Sequence, residues 1–146
     1  MTQRDEGIEK TLLRAIESDR KCLVPYVTGG FDGYLEAISA AAEAGADAIE
    51  IGIPFSDPVM DGPTIQKAND LVLSAGVTPA QIIDEVASLD VDVPLAVMTY
   101  YNVVYRFGLQ RLASNLKEAR ISGVILPDLP LVEAGSWQEA STSAER

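Results

Sequence analysis

Hydrophobic positions along the chain follow two rhythms that take turns. Short apolar runs, continuous or alternating, occupy Cys22 to Thr28, Ala48 to Ile53, Pro94 to Thr99 and Gly123 to Leu126, and each is closed by Gly, Pro or Asp, which predicts four strands. Between them the apolar residues recur every three or four positions, the spacing of a helix with one buried face. Ile8, Leu12, Leu13 and Ile16 predict an opening helix over 7–18, expected to plug the bottom of whatever follows. Leu35, Ile38, Ala41 and Ala42 predict a second helix, with Asp32 as N-cap and Gly45 as the left-handed residue that ends it. A third begins at Pro63, turns Ile65, Ala68 and Leu71 inward and stops at Gly76; a fourth starts from a capping box, Thr78 to Gln81, and carries Ile82, Ile83 and Val86. Leu109, Leu112, Leu116 and Ala119 mark a fifth, and a weaker helical pattern runs from Glu133 to Arg146.

Strand and helix alternate without a hairpin signal, the pattern of parallel βαβ units with right-handed crossovers. The expected fold class is therefore α/β. Four such units are half of a (βα)8 TIM barrel, which takes ~250 residues. Residues 1–146 are expected to form a single domain, a partial barrel with an extra N-terminal helix.

Composition narrows the chemistry. Eleven basic residues against twenty-two acidic give a net charge of −11, and no Lys or Arg run forms a patch for a phosphate backbone, which argues against nucleic acid as a partner. The acidity fits a well-solvated surface or adaptation to high salt. Cys22 is the single cysteine, so no internal disulfide can form; a reducing, cytoplasmic setting fits, with Cys22 expected as a small buried residue at a strand start. No apolar run approaches the ~20 residues of a membrane helix. With no histidine, the usual ligands for zinc and most transition metals are missing.

One stretch departs from the bland pattern. Glu50 sits among Ile49, Ile51 and Ile53, where a carboxylate is costly to bury unless it is paired or protonated. Eleven residues on, Asp61 offers a second carboxylate from a Pro- and Gly-punctuated loop leaving the carboxyl end of that strand, the edge where α/β folds place their chemistry. Two carboxylates in different environments can divide acid and base work. A strand Glu can equally satisfy a buried neighbour, and the residues alone leave both readings open.

The run from Glu50 to Gln66, with its Glu-Ile-Gly start, Pro-Phe-Ser-Asp-Pro core and Asp-Gly-Pro-Thr-Ile-Gln finish, resembles the signature of the α subunit of tryptophan synthase. The likeness extends from Ile8 to Arg146 and covers the first half, or slightly more, of that family's length. It implies cleavage of indole-3-glycerol phosphate to indole and glyceraldehyde-3-phosphate, with no metal or organic cofactor of the chain's own. In that reading Glu50 shuttles the proton, acting as acid at the ring carbon and base at the side-chain hydroxyl, and Asp61 accepts the indole N–H and steadies the positive charge. Tyr26 and Tyr100 match positions around the indole ring. Asp57, Asn102 and Asp128 are implied to order loops or face a partner, the pyridoxal-phosphate-carrying β subunit of an αββα complex. Met60 and Phe31 depart from the family, which carries a smaller residue at the first and commonly an aspartate at the second. The family's phosphate-binding turns follow strands seven and eight, beyond Arg146. A chain of these units alone is accordingly expected to be weakly active or inactive, and self-pairing, aggregation-prone or completed by another chain. The alternatives are an inactive partial barrel that binds the β subunit, and another phosphate-handling βα barrel sharing only architecture.

Overall fold

The computed structural model describes residues 2–145. Among them are four strands, β1 (Tyr26–Thr28), β2 (Ile49–Gly52), β3 (Leu95–Met98) and β4 (Gly123–Ile125), and eight helices. The helices are α1 (Gln3–Glu6), α2 (Ile8–Glu17), α3 (Tyr34–Glu43), α4 (Pro63–Ser74), α5 (Pro79–Ala87), α6 (Tyr101–Phe107), α7 (Leu109–Glu118) and α8 (Gly135–Glu145), with a 3-10 turn over Leu131–Glu133. All pairings are parallel, and the strand order is β1-β2-β3-β4. Spatial order follows chain order and never reverses, so the sheet winds like one side of a barrel and has no switch point of the doubly wound kind.

Alternation along each strand assigns the two faces. Ile49, Ile51, Leu95 and Val97 are at most 1% exposed and pack outward on the helices, against Ile38, Ile82, Ile83, Val86, Val104, Leu112 and Leu116. Burying each such side chain contributes about 1.5–3 kcal/mol, so this layer supplies most of the cohesion. The opposite face carries Tyr26, Glu50, Ala96 and Gly123 in one register row and Thr28, Gly52, Met98 and Ile125 in the next. Ile8 reaches this inner face, within 3.7 Å of the space a Gly123 side chain would take, so the start of α2 lies against the N-terminal end of β4.

Several local expectations need correction. The opening helix starts at Ile8 after a separate turn, α1, capped reciprocally by Thr2 and Asp5. Its buried residues are Thr11 and Ala15, whereas Leu13 and Ile16 are 49% and 64% exposed. Cys22 is exposed, because β1 is shorter than the apolar run and begins at Tyr26. Pro25 falls just ahead of the strand, where its missing N–H breaks no ladder bond and its carbonyl accepts the Glu50 N–H at 2.9 Å. Gly33, not Asp32, caps α3; its φ of 78° needs glycine, and no side chain caps the turn. In α4 Leu71 is 57% exposed while Asn69 and Val72 are buried. Thr78 does accept the Gln81 N–H, but the Gln81 side chain turns away to Glu85, leaving half a capping box. The pattern did not anticipate α6, whose seven residues start at Tyr101, with Tyr100 as N-cap. The C-terminal helical pattern is realised as α8; its last predicted residue, Arg146, lies outside the described residues.

Arg4 is the fold's most unusual buried side chain. At 2% exposure its guanidinium donates to the carbonyls of Val86 (3.4 Å) in the last turn of α5 and Leu89 (2.6 Å) just after it, and of Ala119 (2.9 Å) and Arg120 (3.3 Å) just after α7. Four acceptors at the negative ends of two helices replace the water a buried cation loses.

Candidate active site

The site grows from the end of β2. Alternation forces Glu50 onto the inner face, directly across from Tyr26 on β1 and Ala96 on β3. Ala96 and Gly123 on the same row are small, which leaves space in front of the carboxylate. Glu50 is half-buried, and its carboxyl is held above the usual glutamate range, first by loss of water and then by the nearby Asp61 charge. A carboxyl shifted upward keeps its proton closer to neutral pH and can act as an acid as well as a base.

Beyond Gly52 the chain leaves the sheet as the loop over 53–62. Ile53 still donates its N–H to Met98 O at 2.8 Å, and Pro63 then starts α4 at its first position, where a proline costs no hydrogen bond. Asp61 lies at the end of this loop. Its main-chain carbonyl accepts from the Gln66 amide at 2.6 Å, and its carboxylate accepts from the Asn69 amide at 3.4 Å. The preceding N–H, that of Met60, donates to the Tyr100 hydroxyl at 3.2 Å. Tyr100, only 2% exposed, also packs its ring against Phe55 with centroids 5.5 Å apart and planes tilted by 33°. Burial pushes its phenol upward, and so does the Asp61 charge.

Tyr26 closes the other side. A Cβ built on Gly52 would fall 1.9 Å from the Tyr26 hydroxyl oxygen, so the ring lies flush over the Gly52 backbone and only glycine fits beneath it. Burial raises the Tyr26 phenol, with smaller upward contributions from Asp61, Glu50 and Tyr100. The Asp61 charge thus reaches the other three, and the fold brings Tyr26, Glu50, Asp61 and Tyr100 together at the carboxyl end of the sheet.

The remaining three lie around them. Asp128, after β4, accepts the Tyr101 N–H with both carboxylate oxygens, at 3.0 and 3.1 Å, and so ties the β4 loop to the start of α6. Asp57 is exposed and accepts from the Ser56 hydroxyl at 2.7 Å, while Asn102 is exposed on the first turn of α6. The residues that sequence reasoning passed over are Gly52, which seats Tyr26, and Asn69, which meets Asp61. A polar residue on the apolar stripe Ile65–Val72 was the available signal for the second.

A family model for the tryptophan synthase alpha chain matches residues 12–145, nearly all of the chain. This chain belongs to the tryptophan synthase alpha chain family. The alpha chain of Streptomyces avermitilis is 42% identical over 142 residues, which are 94% of this chain and 51% of that one. Among solved structures, tryptophan synthase subunit alpha from Legionella pneumophila superposes with a TM-score of 0.87 at 32% identity, covering 99% of this chain and 56% of that one. Tryptophan synthase from M. tuberculosis, in an aminoacrylate- and BRD0059-bound form, superposes with a TM-score of 0.87 at 34% identity, covering 94% and 57%. The chain thus spans about half the length of the curated alpha chains it matches, and its four βα units correspond to part of a TIM barrel. No helix among the described residues is long and apolar enough to cross a membrane.

Proposed function

We propose that this chain carries the acid–base part of a lyase that splits indole-3-glycerol phosphate into indole and glyceraldehyde-3-phosphate, in the cytoplasm and in the service of tryptophan biosynthesis. The observation that carries the proposal is the raised carboxyl of Glu50 beside the loop-held Asp61, on the strand end that a barrel uses for chemistry. Cleavage needs a proton delivered to the indole ring carbon and another removed from the adjacent hydroxyl. Glu50 is suited to both steps because burial raises its carboxyl above the ordinary glutamate range, so that it can hold a proton as an acid and take one as a base. Asp61 accepts the ring N–H and opposes the positive charge that develops there. Tyr26 and Phe55-backed Tyr100 bound the indole; Asp128 and Asn102 order the α6 loop, and Asp57 the loop over 53–62. No organic cofactor enters these steps. Residues 1–146 act as one partial-barrel domain, and the substrate phosphate falls to βα units seven and eight of the family barrel, outside these four.

The test is indole release from indole-3-glycerol phosphate by this chain and by Glu50→Gln, each with and without the pyridoxal-phosphate-containing β subunit. The expected result is release that the substitution lowers by at least about a hundredfold, the usual weight of a positioned acid–base group. Equal release from both proteins would overturn the assignment of Glu50. A second reading, an inactive module that binds the β subunit in an αββα complex, draws on a different observation. Val59, Met60, Tyr105, Leu131 and Val132 are 66–90% exposed, and all lie on segments that follow strand ends. Bound β subunit without indole release would favour it.

A further inference from the structure

The core stripe of α4 contains one residue that packing does not explain. Val72 is buried, Ile65 and Ala68 are half-buried on the same face, and Asn69, one turn before Val72, goes in with them at 3% exposure. An apolar side chain would fill that position at lower cost, since a buried amide must find partners for what it loses to water. Asn69 finds one. Its Nδ2 donates to Asp61 Oδ2 at 3.4 Å, and its Oδ1, equally buried, has no partner among the described residues. The amide orientation follows from chemistry, because an ionised carboxylate only accepts. So the helix spends a core position on a polar group whose one hydrogen-bond partner among the described residues is the carboxylate eight residues upstream, across the turn that starts the helix.

We propose that Asn69 is a positioning residue: it fixes the rotamer of Asp61 so that the carboxylate is presented to Glu50 and the indole pocket instead of turning out to solvent. The proposal rests on the acid–base reading given above. Three ties hold this part of the chain, and they act at different atoms. The Tyr100 hydroxyl accepts the Met60 N–H and also faces the Asp61 carboxylate, the Gln66 amide holds the Asp61 carbonyl, and the Asn69 amide donates to the Asp61 carboxylate from the helix. The first two fix the backbone, and a fixed backbone still leaves an aspartate free to rotate about χ1 and χ2. A half-buried carboxylate with a second carboxyl nearby gains by turning toward water, and a donor rooted in the helix opposes that turn. Small displacements of this kind are expensive in catalysis, where an ångström can cost a hundredfold.

The experiment compares the full chain with Asn69→Leu, which keeps the bulk and removes the donor, by two readouts. Carbon-13 NMR titration of the Glu50 carboxyl needs no turnover. With Asp61 released, Glu50 loses the nearby charge and its midpoint falls toward the ordinary glutamate value. In turnover of indole-3-glycerol phosphate with β subunit present, kcat falls by about tenfold with KM within about twofold, as for a group that orients without binding substrate. Val72→Ala, a packing loss at the next buried position, lowers the melting temperature and leaves the Glu50 titration in place. Asn69→Ala replaces the leucine variant if the leucine disturbs folding. A Glu50 midpoint that stays put or rises in a folded Asn69 variant overturns the proposal. Glu50→Gln separates the two ideas: if it retains turnover, the acid–base reading fails, whereas its loss of turnover beside a silent Asn69→Leu sinks the positioning role alone.

Discussion

Gly52→Ala offers a sharp test of how the strand supports the site. The new methyl would sit 1.9 Å from the Tyr26 hydroxyl oxygen, 2.5 Å from Cζ and 2.9 Å from Cε2, whereas ordinary contact begins at 3.4 Å. The end of the tyrosine must therefore retreat by about 1.5 Å, and because the ring is rigid the whole side chain swings away from the sheet. Backbone relief is closed off, since the Gly52 carbonyl accepts the Gly29 N–H at 2.8 Å and the strand is paired on both sides. Overpacking of this size costs about 1–3 kcal/mol, read as a lower urea midpoint with an unchanged slope. Tyr26 pairs with Glu50 in register, so its departure also wets the carboxyl and lowers the Glu50 midpoint. The clean control is the same substitution in a Tyr26→Ala background, where the methyl meets open space. There the penalty should shrink, giving a coupling energy of about 1–2 kcal/mol in a double-mutant cycle. Additive effects of the two substitutions, within about 0.5 kcal/mol, would refute the steric argument.

Two further outcomes follow from the lower side of the fold. Arg4→Met should cost about 2–4 kcal/mol in urea unfolding, because it strands carbonyls at the ends of α5 and α7 that a charged donor now satisfies; a loss under 0.5 kcal/mol would mean that water serves them as well. Asp47, 6% exposed, is held below the usual aspartate range by the Arg20 guanidinium and the Leu23 N–H (2.8 Å). A carboxylate depressed in the folded state stabilises it fully above its unfolded pKa of about 3.9 and loses that contribution as pH falls through the lower folded value. The stability gap between wild type and Asp47→Asn should thus be constant from pH 7 to about 5 and close below about pH 4; a gap independent of pH would show that the charge is not what matters.

Residues near one another in the chain made much of this protein legible. Apolar alternation located β2 and placed Glu50 opposite the isoleucines, because side-chain direction in a strand has a period of two regardless of what packs on it. Glycines at 45 and 76, with φ of 97° and 78°, ended α3 and α4 as predicted, since a left-handed residue is a local demand. Strand–helix alternation fixed the parallel sheet, and the Glu50–Gln66 run pointed to the family before any contact was known.

Tertiary structure decided which faces are covered and what each polar group meets. Helical spacing shows that a face exists but not how the helix is rotated against its neighbours. That is why Thr11 and Asn69 are buried while Leu13, Ile16 and Leu71 are exposed. Tyr100 holds Met60 across forty residues, Asp128 holds Tyr101 across twenty-seven, and Arg4 reaches Arg120 across 116. Such bonds join residues by their places in the sheet and its loops, and no window of sequence contains both partners. The carboxylates were visible as residues; their coupling depends on burial, and burial is a property of the folded surroundings.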